Sequence, residues 1–287
     1  MDVARTIADL RGRIALWRKS RESIGLVPTM GALHDGHLAL VRAARAECDR
    51  AVVSIFVNPK QFAPSEDLGT YPRREAADLD LLRAGSVDLV FIPDTSEIYP
   101  PDFTTVVQVT GLTEGLCGAH RAGHFDGVAT VVTKLLIQSL PDVTYFGEKD
   151  YQQLLVVRRL ARDLDIPVRI AGIPTVREAD GLALSSRNAY LSSEERRIAP
   201  VLSRVLLSVA AALTQEPTAV ARELARGFAE LEAAGFQVEY LEARDAATLA
   251  AVTGKITVPS RLLAAVRLGR TRLIDNVPIP VAPARRR

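Results

Sequence analysis

The chain has 287 residues, 48% of them hydrophobic, with 36 basic and 34 acidic side chains and a formal net charge of +2. These figures fit a globular protein with a real core, exclude a disordered chain, and leave no field strong enough to make nucleic acid or an anionic membrane the main partner. Two cysteines, Cys48 and Cys117, lie far apart in no metal-like spacing, which predicts a reducing compartment and no disulfide framework. The basic run Arg285, Arg286 and Arg287 reads as a solvated tail. No apolar stretch approaches the roughly 20 residues a bilayer requires; the nearest, 128–140, is interrupted by Lys134 and Gln138. The first residues carry no basic region followed by an apolar run, so a cytoplasmic location is expected.

In chain order, residues 24–28 read as a strand, followed by a glycine-containing loop and a helix over 37–48. A near-continuously apolar strand over 51–58 suits a buried parallel sheet. Residues 59–73 hold three prolines and mark a long loop, a feature that tends to be functional. A helix over 74–84 leads to strands over 87–93 and 104–109. After the glycine- and histidine-containing segment 111–127 come a helix to about 140, a strand over 143–146, a helix over 150–164 and a strand over 168–173. The alternation predicts a Rossmann-like, doubly wound parallel α/β domain over 1–175. Beyond it, helices over 193–213 and 218–234, a strand-like run at 237–241 and a hairpin of 262–268 with 271–275 across Gly269-Arg270 predict a smaller α+β domain, 176–287.

The sharpest feature is PTMGALHDGH at 28–37, where the first of these strands runs into its helix. In an open α/β sheet, ligands bind outside the carboxyl ends of the strands. Glycines at 31 and 36 allow close backbone approach, and a helix amino terminus aims N–H groups at an anion. His34 and His37, three apart, share a face there and can stabilise charge growing on a phosphorus centre. Neither a G-x-x-x-x-G-K-[ST] loop nor a G-x-G-x-x-G after a strand is present, so a nucleotide has to be held by the histidine motif. Lys149 suits phosphate, and Asp150 either caps its helix or accepts from the nucleotide. Ser185, Ser186 and Arg187 make a natural grip on a polyphosphate. Pro28, Met30, Val128 and Val131 either line an apolar pocket or, for the two valines, are plain helix core. His120 and His124, four apart, would suit a metal pair on a helix, but Gly123 and Gly127 argue against a regular helix there.

HDGH after the first strand resembles the "HIGH" signature of the nucleotidylyltransferase superfamily, and the longer string resembles the pantothenate synthetase family in particular. The match continues with VNPKQF at 57–62, YPR at 71–73, GHFDGVATVV at 123–132, FGEKDYQQL at 146–154 and PTVREADGLALSSRNAYL at 174–191. The resemblance implies condensation of pantoate with β-alanine at the expense of ATP, through a pantoyl-adenylate. It places ATP against Met30, Gly31, Ala32, Leu33, His34, Asp35, Gly36 and His37, against Gly147, Glu148, Lys149 and Asp150, and against Val176, Leu184, Ser185, Ser186 and Arg187. His34, His37, Lys149 and Arg187 form its catalytic set, and Gln61 and Gln153 its contacts to pantoate and β-alanine. Mg²⁺ is expected with the nucleotide, with Asp78 as a partner for the metal. A homodimer is implied, and the second domain and the loop around Gln61 are candidate lids. The rival readings are a nucleotidylyltransferase acting on a phosphate-bearing substrate and a nucleotide-binding regulator without catalysis.

Overall fold

The computed structural model describes residues 1–63 and 66–281, so the arginine run at 285–287 lies outside the described residues. The chain divides into two compact units, Met1–Val176 and Arg177–Arg287.

In the first unit the order is β1 (Asp2–Ala4), α1 (Ile7–Lys19), β2 (Ile24–Thr29), α2 (Asp35–Glu47), β3 (Arg50–Ile55), α3 (Glu75–Ala84), β4 (Leu89–Phe91), α4 (Thr95–Ile98), α5 (Cys117–His120), α6 (His124–Ser139), β5 (Val143–Gly147), α7 (Tyr151–Asp163) and β6 (Arg169–Ile173). Six strands form one parallel sheet in the order β1-β4-β3-β2-β5-β6. Strand β2 is central and buried because Ile24, Leu26 and Val27 leave no polar side chain to solvate. Successive strands proceed outward from β2 through β3 and β4, and the chain then returns to β5 on the other side. The sheet therefore has its switch point between β2 and β5, where Rossmann-like sheets open a crevice. The ladders agree: β2 pairs with β3 through to Thr29 and Ile55, but with β5 only at Gly25–Val143 and Leu26–Thr144. At the level where the strands part, Pro28 has no N–H to offer a ladder.

Two sequence expectations fail locally in this unit. Helix α6 begins at His124, ahead of where the glycines suggested, with Gly123 left-handed (φ 75°) as its N-cap. Residues 104–109 form no strand: no described strand pairs with them, and the Val107 N–H is taken instead by the Thr130 hydroxyl of α6 (3.0 Å). The short β1 and the helix α1 went unread.

The second unit holds α8 (Ser193–Ile198), α9 (Val201–Gln215), α10 (Val220–Ala233) and an antiparallel sheet of β7 (Gln237–Asp245), β8 (Ser260–Leu268) and β9 (Thr271–Ile279). The hairpin expected across Gly269-Arg270 is present, closed by the Leu268–Thr271 pair. The single helix expected over 193–213 is two, parted at Ala199 and Pro200, since proline cannot donate to the preceding turn. By length and composition Ser193–Gln215 would suffice to cross a membrane, contrary to the sequence reading. Leu202, Val205, Leu206, Val209 and Leu213 of this stretch instead fill the core of the unit, against Leu262, Val266 and Val277.

Candidate active site

The turn after β2 is held at both ends. At its start, the Thr29 hydroxyl donates to the Ser54 carbonyl (2.7 Å) and accepts from the Gly31 N–H (3.2 Å). At its crest, the buried Asp78 carboxylate accepts from Ala32 N–H (2.9 Å) and Leu33 N–H (2.8 Å). Gly31 takes a φ of 81°, and a Cβ there would meet both Asp78 and Ile55 at about 3 Å. Even Ala32 is held left-handed, at φ 51°. Asp78, only 2% exposed, thus anchors the backbone of the loop with both of its oxygens.

That loop delivers His34 to the N-cap of α2. The two histidines close a reciprocal cap: Gly36 N–H donates to His34 Nδ1 (3.1 Å), and His34 N–H donates to His37 Nδ1 (3.3 Å). A ring nitrogen that accepts carries no proton, so a neutral ring must carry it on Nε2. The rings lie 4.1 Å apart, centroid to centroid. Burial, with Lys149 adding and Asp35 and Asp150 opposing, lowers the His34 pKa. His37 is lowered to about 3, by burial first and then by the neighbouring His34. At neutral pH both are uncharged imidazoles whose remaining N–H is a hydrogen-bond donor, set where the α2 dipole already favours an anion.

Lys149 and Asp150, in the 3₁₀ turn Glu148–Asp150 after β5, act electrostatically on both imidazoles from the other side of the crevice. Lys149 Nζ lies 3.8 Å from the Asp150 carboxylate. Asp150 occupies the N-cap of α7 without a side-chain capping bond, which removes one of its two expected roles. Gln153 is partly buried in the first turn of α7; the neighbouring Gln152, unremarked in the sequence, is buried and ties down Cys117 N–H (3.0 Å) and the carbonyls of Leu112 and Gly115 (both 2.8 Å).

Gln61 ends the 3₁₀ turn Pro59–Gln61, and its amide is oriented by a chain of bonds. Lys60 N–H and the Tyr99 hydroxyl both donate to Asn58 Oδ1 (3.3 and 2.8 Å), so Asn58 Nδ2 faces away and donates to Gln61 Oε1 (2.9 Å) and the Gly127 carbonyl (3.1 Å). Gln61 Nε2 then points at Met30 Sδ (3.3 Å), next to the histidine turn. Gln61 therefore offers an acceptor-bearing ligand an N–H. Asn58 carries no signal in the sequence beyond its place in VNPKQF. Val128 and Val131 are 2% and 6% exposed in α6, which supports their reading as helix core, while Pro28 and Met30 keep some surface. His120 and His124 do not share a helix, and no group of three potential metal ligands occurs among the described residues.

Val176 closes the first unit. Within the second, Ser185 caps the 3₁₀ turn Ser186–Tyr190 by accepting from Arg187 N–H (3.3 Å), and Asn188 Nδ2 ties that turn to Glu178 and to the Ala183 carbonyl (both 3.1 Å). Leu184, Ser186 and Arg187 are all partly buried there.

The family model described as pantoate-beta-alanine ligase matches residues 2–278. The chain belongs to the pantoate–β-alanine ligase family. Pantothenate synthetase of Paramagnetospirillum magneticum is 55% identical over 282 residues, 96% of each protein, and that of Roseobacter denitrificans 53% identical over 98% of each. A crystal structure of the Thermus thermophilus pantothenate synthetase superposes with a TM-score of 0.91 at 49% identity, covering 96% of this chain and 99% of that one. The Francisella tularensis pantoate–β-alanine ligase, solved with β-γ ATP and β-alanine, superposes at 0.80 and 34% identity, covering 96% and 97%. Membership of the pantoate–β-alanine ligase family makes the chain a ligase, on the Rossmann-like α/β fold with a smaller carboxy-terminal part that the sequence predicted.

Proposed function

We propose that the chain joins pantoate to β-alanine in two steps at the crevice between β2 and β5, with ATP as co-substrate. In the first, a pantoate carboxylate oxygen attacks the α-phosphorus of ATP, and the bond to the β-phosphate oxygen breaks to release pyrophosphate. In the second, the β-alanine amine attacks the pantoyl-adenylate carbonyl, loses a proton, and expels AMP. The observation that carries this reading is the pair of neutral imidazoles locked as Nε2–H donors at the head of α2. A donor whose pKa is lowered to about 3 is a poor proton acceptor near neutrality, so His37 acts by hydrogen-bonding the charge that develops on phosphate oxygens. His34 acts beside it, and Lys149 supplies a full positive charge.

Gln61, through Nε2, and Gln153 are assigned to the acid, β-alanine also lying near Gln61. Neutral amides orient a carboxylate without the strong pairing that would blunt its attack. Ser185, Ser186 and Arg187 are assigned to the polyphosphate, with Leu184 and Val176 beside the nucleotide. The second unit as a lid, a homodimer and a cytoplasmic location complete the reading; both cysteines are free, which suits a reducing compartment. Mg²⁺ is assigned to the nucleotide phosphates, with Asp78 as its partner on the chain; no group of three potential metal ligands occurs among the described residues, and no step here passes through a metal.

ATP–pyrophosphate exchange tests the reading. Exchange that requires pantoate and proceeds without β-alanine is the expected result; exchange with no acid at all, or none with pantoate, rules it out.

A further inference from the structure

His124 does not read as part of a metal pair, and its bonds give it other work. We propose that His124, held by Arg121 and Glu66, is a positioning residue that sets the placement of Gln61. This rests on Gln61 being a substrate contact.

His124 is the first residue of α6 and only 9% exposed. Its Nδ1 lies 2.8 Å from the Gln61 carbonyl, and its Nε2 lies 2.9 Å from Arg121 Nη1. A carbonyl can only accept and a guanidinium can only donate. One protonation state satisfies both: a neutral ring with its proton on Nδ1, donating to Gln61 and accepting from Arg121. Burial, reinforced by the Arg121 charge, lowers the pKa to about 4 and keeps the ring in that state. Arg121 is fixed in turn by a two-pronged bond to Glu66 (2.6 and 2.7 Å) and sends a weaker one to the same Gln61 carbonyl (3.3 Å). That ion pair is largely covered, its side chains 14% and 21% exposed, so its geometry is set more firmly than that of a surface pair.

Packing alone does not account for the arrangement. An apolar ring would stack as well against Phe125 and would need no donor aimed at Gln61. The target gains from the help: the Pro59–Gln61 turn has three residues and buries none of them, and its own bonds, from Lys60 and Gln61 N–H to Asn58 and from Phe62 N–H to Pro59, are all long, 3.3 to 3.4 Å. One helical turn along α6, a Cβ at Gly127 would stand 2.2 Å from the Lys60 carbonyl oxygen, so the Lys60–Gln61 peptide lies directly on the helix. Asn58 orients the Gln61 side chain, whereas His124 and Arg121 fix its main chain.

The test is a double-mutant cycle of Q61A and H124A, read as KM for ATP, pantoate and β-alanine, with H124N as the conservative variant. H124A is expected to raise KM for pantoate or β-alanine about tenfold or more while ATP stays within about twofold. H124N, which keeps a donor at the Nδ1 position, is expected to restore most of the loss, and H124A to add little in the Q61A background. An unchanged KM for both acids in H124A, an equal rise for ATP, or full additivity with Q61A overturns the proposal. If H124A does not fold, H124N is compared with H124Q, whose amide reaches the Nε2 position instead; equal behaviour of the two overturns it. Should Q61A itself leave both acids unaffected, the reading of Gln61 fails; a Q61A effect without an H124A effect defeats the positioning role alone.

Discussion

The histidine turn and the Gln61 turn stand on the same rim of the sheet and are built in different ways. At the first, the bonds that orient His34 and His37 run between residues two or three apart, and distant segments, Asp78 and the Ser54 carbonyl, hold only the backbone of the turn before them. At the second, Gln61 depends on Tyr99 through Asn58 and on Arg121, His124 and Gly127, about 40 to 70 positions away in the chain. A local device carries its own spacing and survives as a short string of letters. A device assembled from distant segments has no spacing to read.

The largest expected effect falls on the local device. H37A removes a donor aimed at developing phosphate charge and is expected to lower kcat about 10²–10³-fold, with little change in KM for pantoate. Steady-state kinetics check this, and a rise confined to KM would mean that His37 only binds. The middle effect falls on the distant device. G127A forces the Lys60 carbonyl away from α6, so thermal or urea unfolding should show a loss of about 1–3 kcal/mol. KM for the acids should rise with KM for ATP nearly unchanged; equal rises would show that the two turns are not separate devices.

The last effect is one of pH, spread over more than two pH units rather than felt at once. His124 binds a proton near its ordinary 6.5 when unfolded but only near 4 when folded, so unfolding takes up a proton between those values. Its contribution to stability is complete above pH 6.5 and is lost as pH falls toward 4, at no more than about 1.4 kcal/mol per pH unit. H124N should flatten urea stability against pH in that window, while His37, lowered to about 3, keeps its own share in the parent and variant alike.

The same contrast explains what the sequence could disclose. Apolar runs alternating with amphipathic stretches made the parallel sheet legible, and Gly269-Arg270 the hairpin. PTMGALHDGH disclosed the histidine pair because a helix cap is a three-residue affair. The anchoring role of Asp78 was not legible, because a lone carboxylate has no signature for the two backbone N–H groups it accepts from. Gly127 looked like a helix breaker because the reason for it, the Lys60 carbonyl, lies far off in the chain. Residues 104–109 have strand-like letters, yet no described strand pairs with them, and the Val107 N–H goes to the Thr130 hydroxyl instead.

The central claim is that geometry fixes the protons of the site. The chain has only four histidines, so ring-nitrogen NMR of uniformly ¹⁵N-labelled protein can resolve them all. At pH 7 without nucleotide, His34 and His37 are expected as neutral Nε2–H tautomers and His124 as the opposite, neutral Nδ1–H form. His37 as an imidazolium, or protonated on Nδ1, would contradict the account.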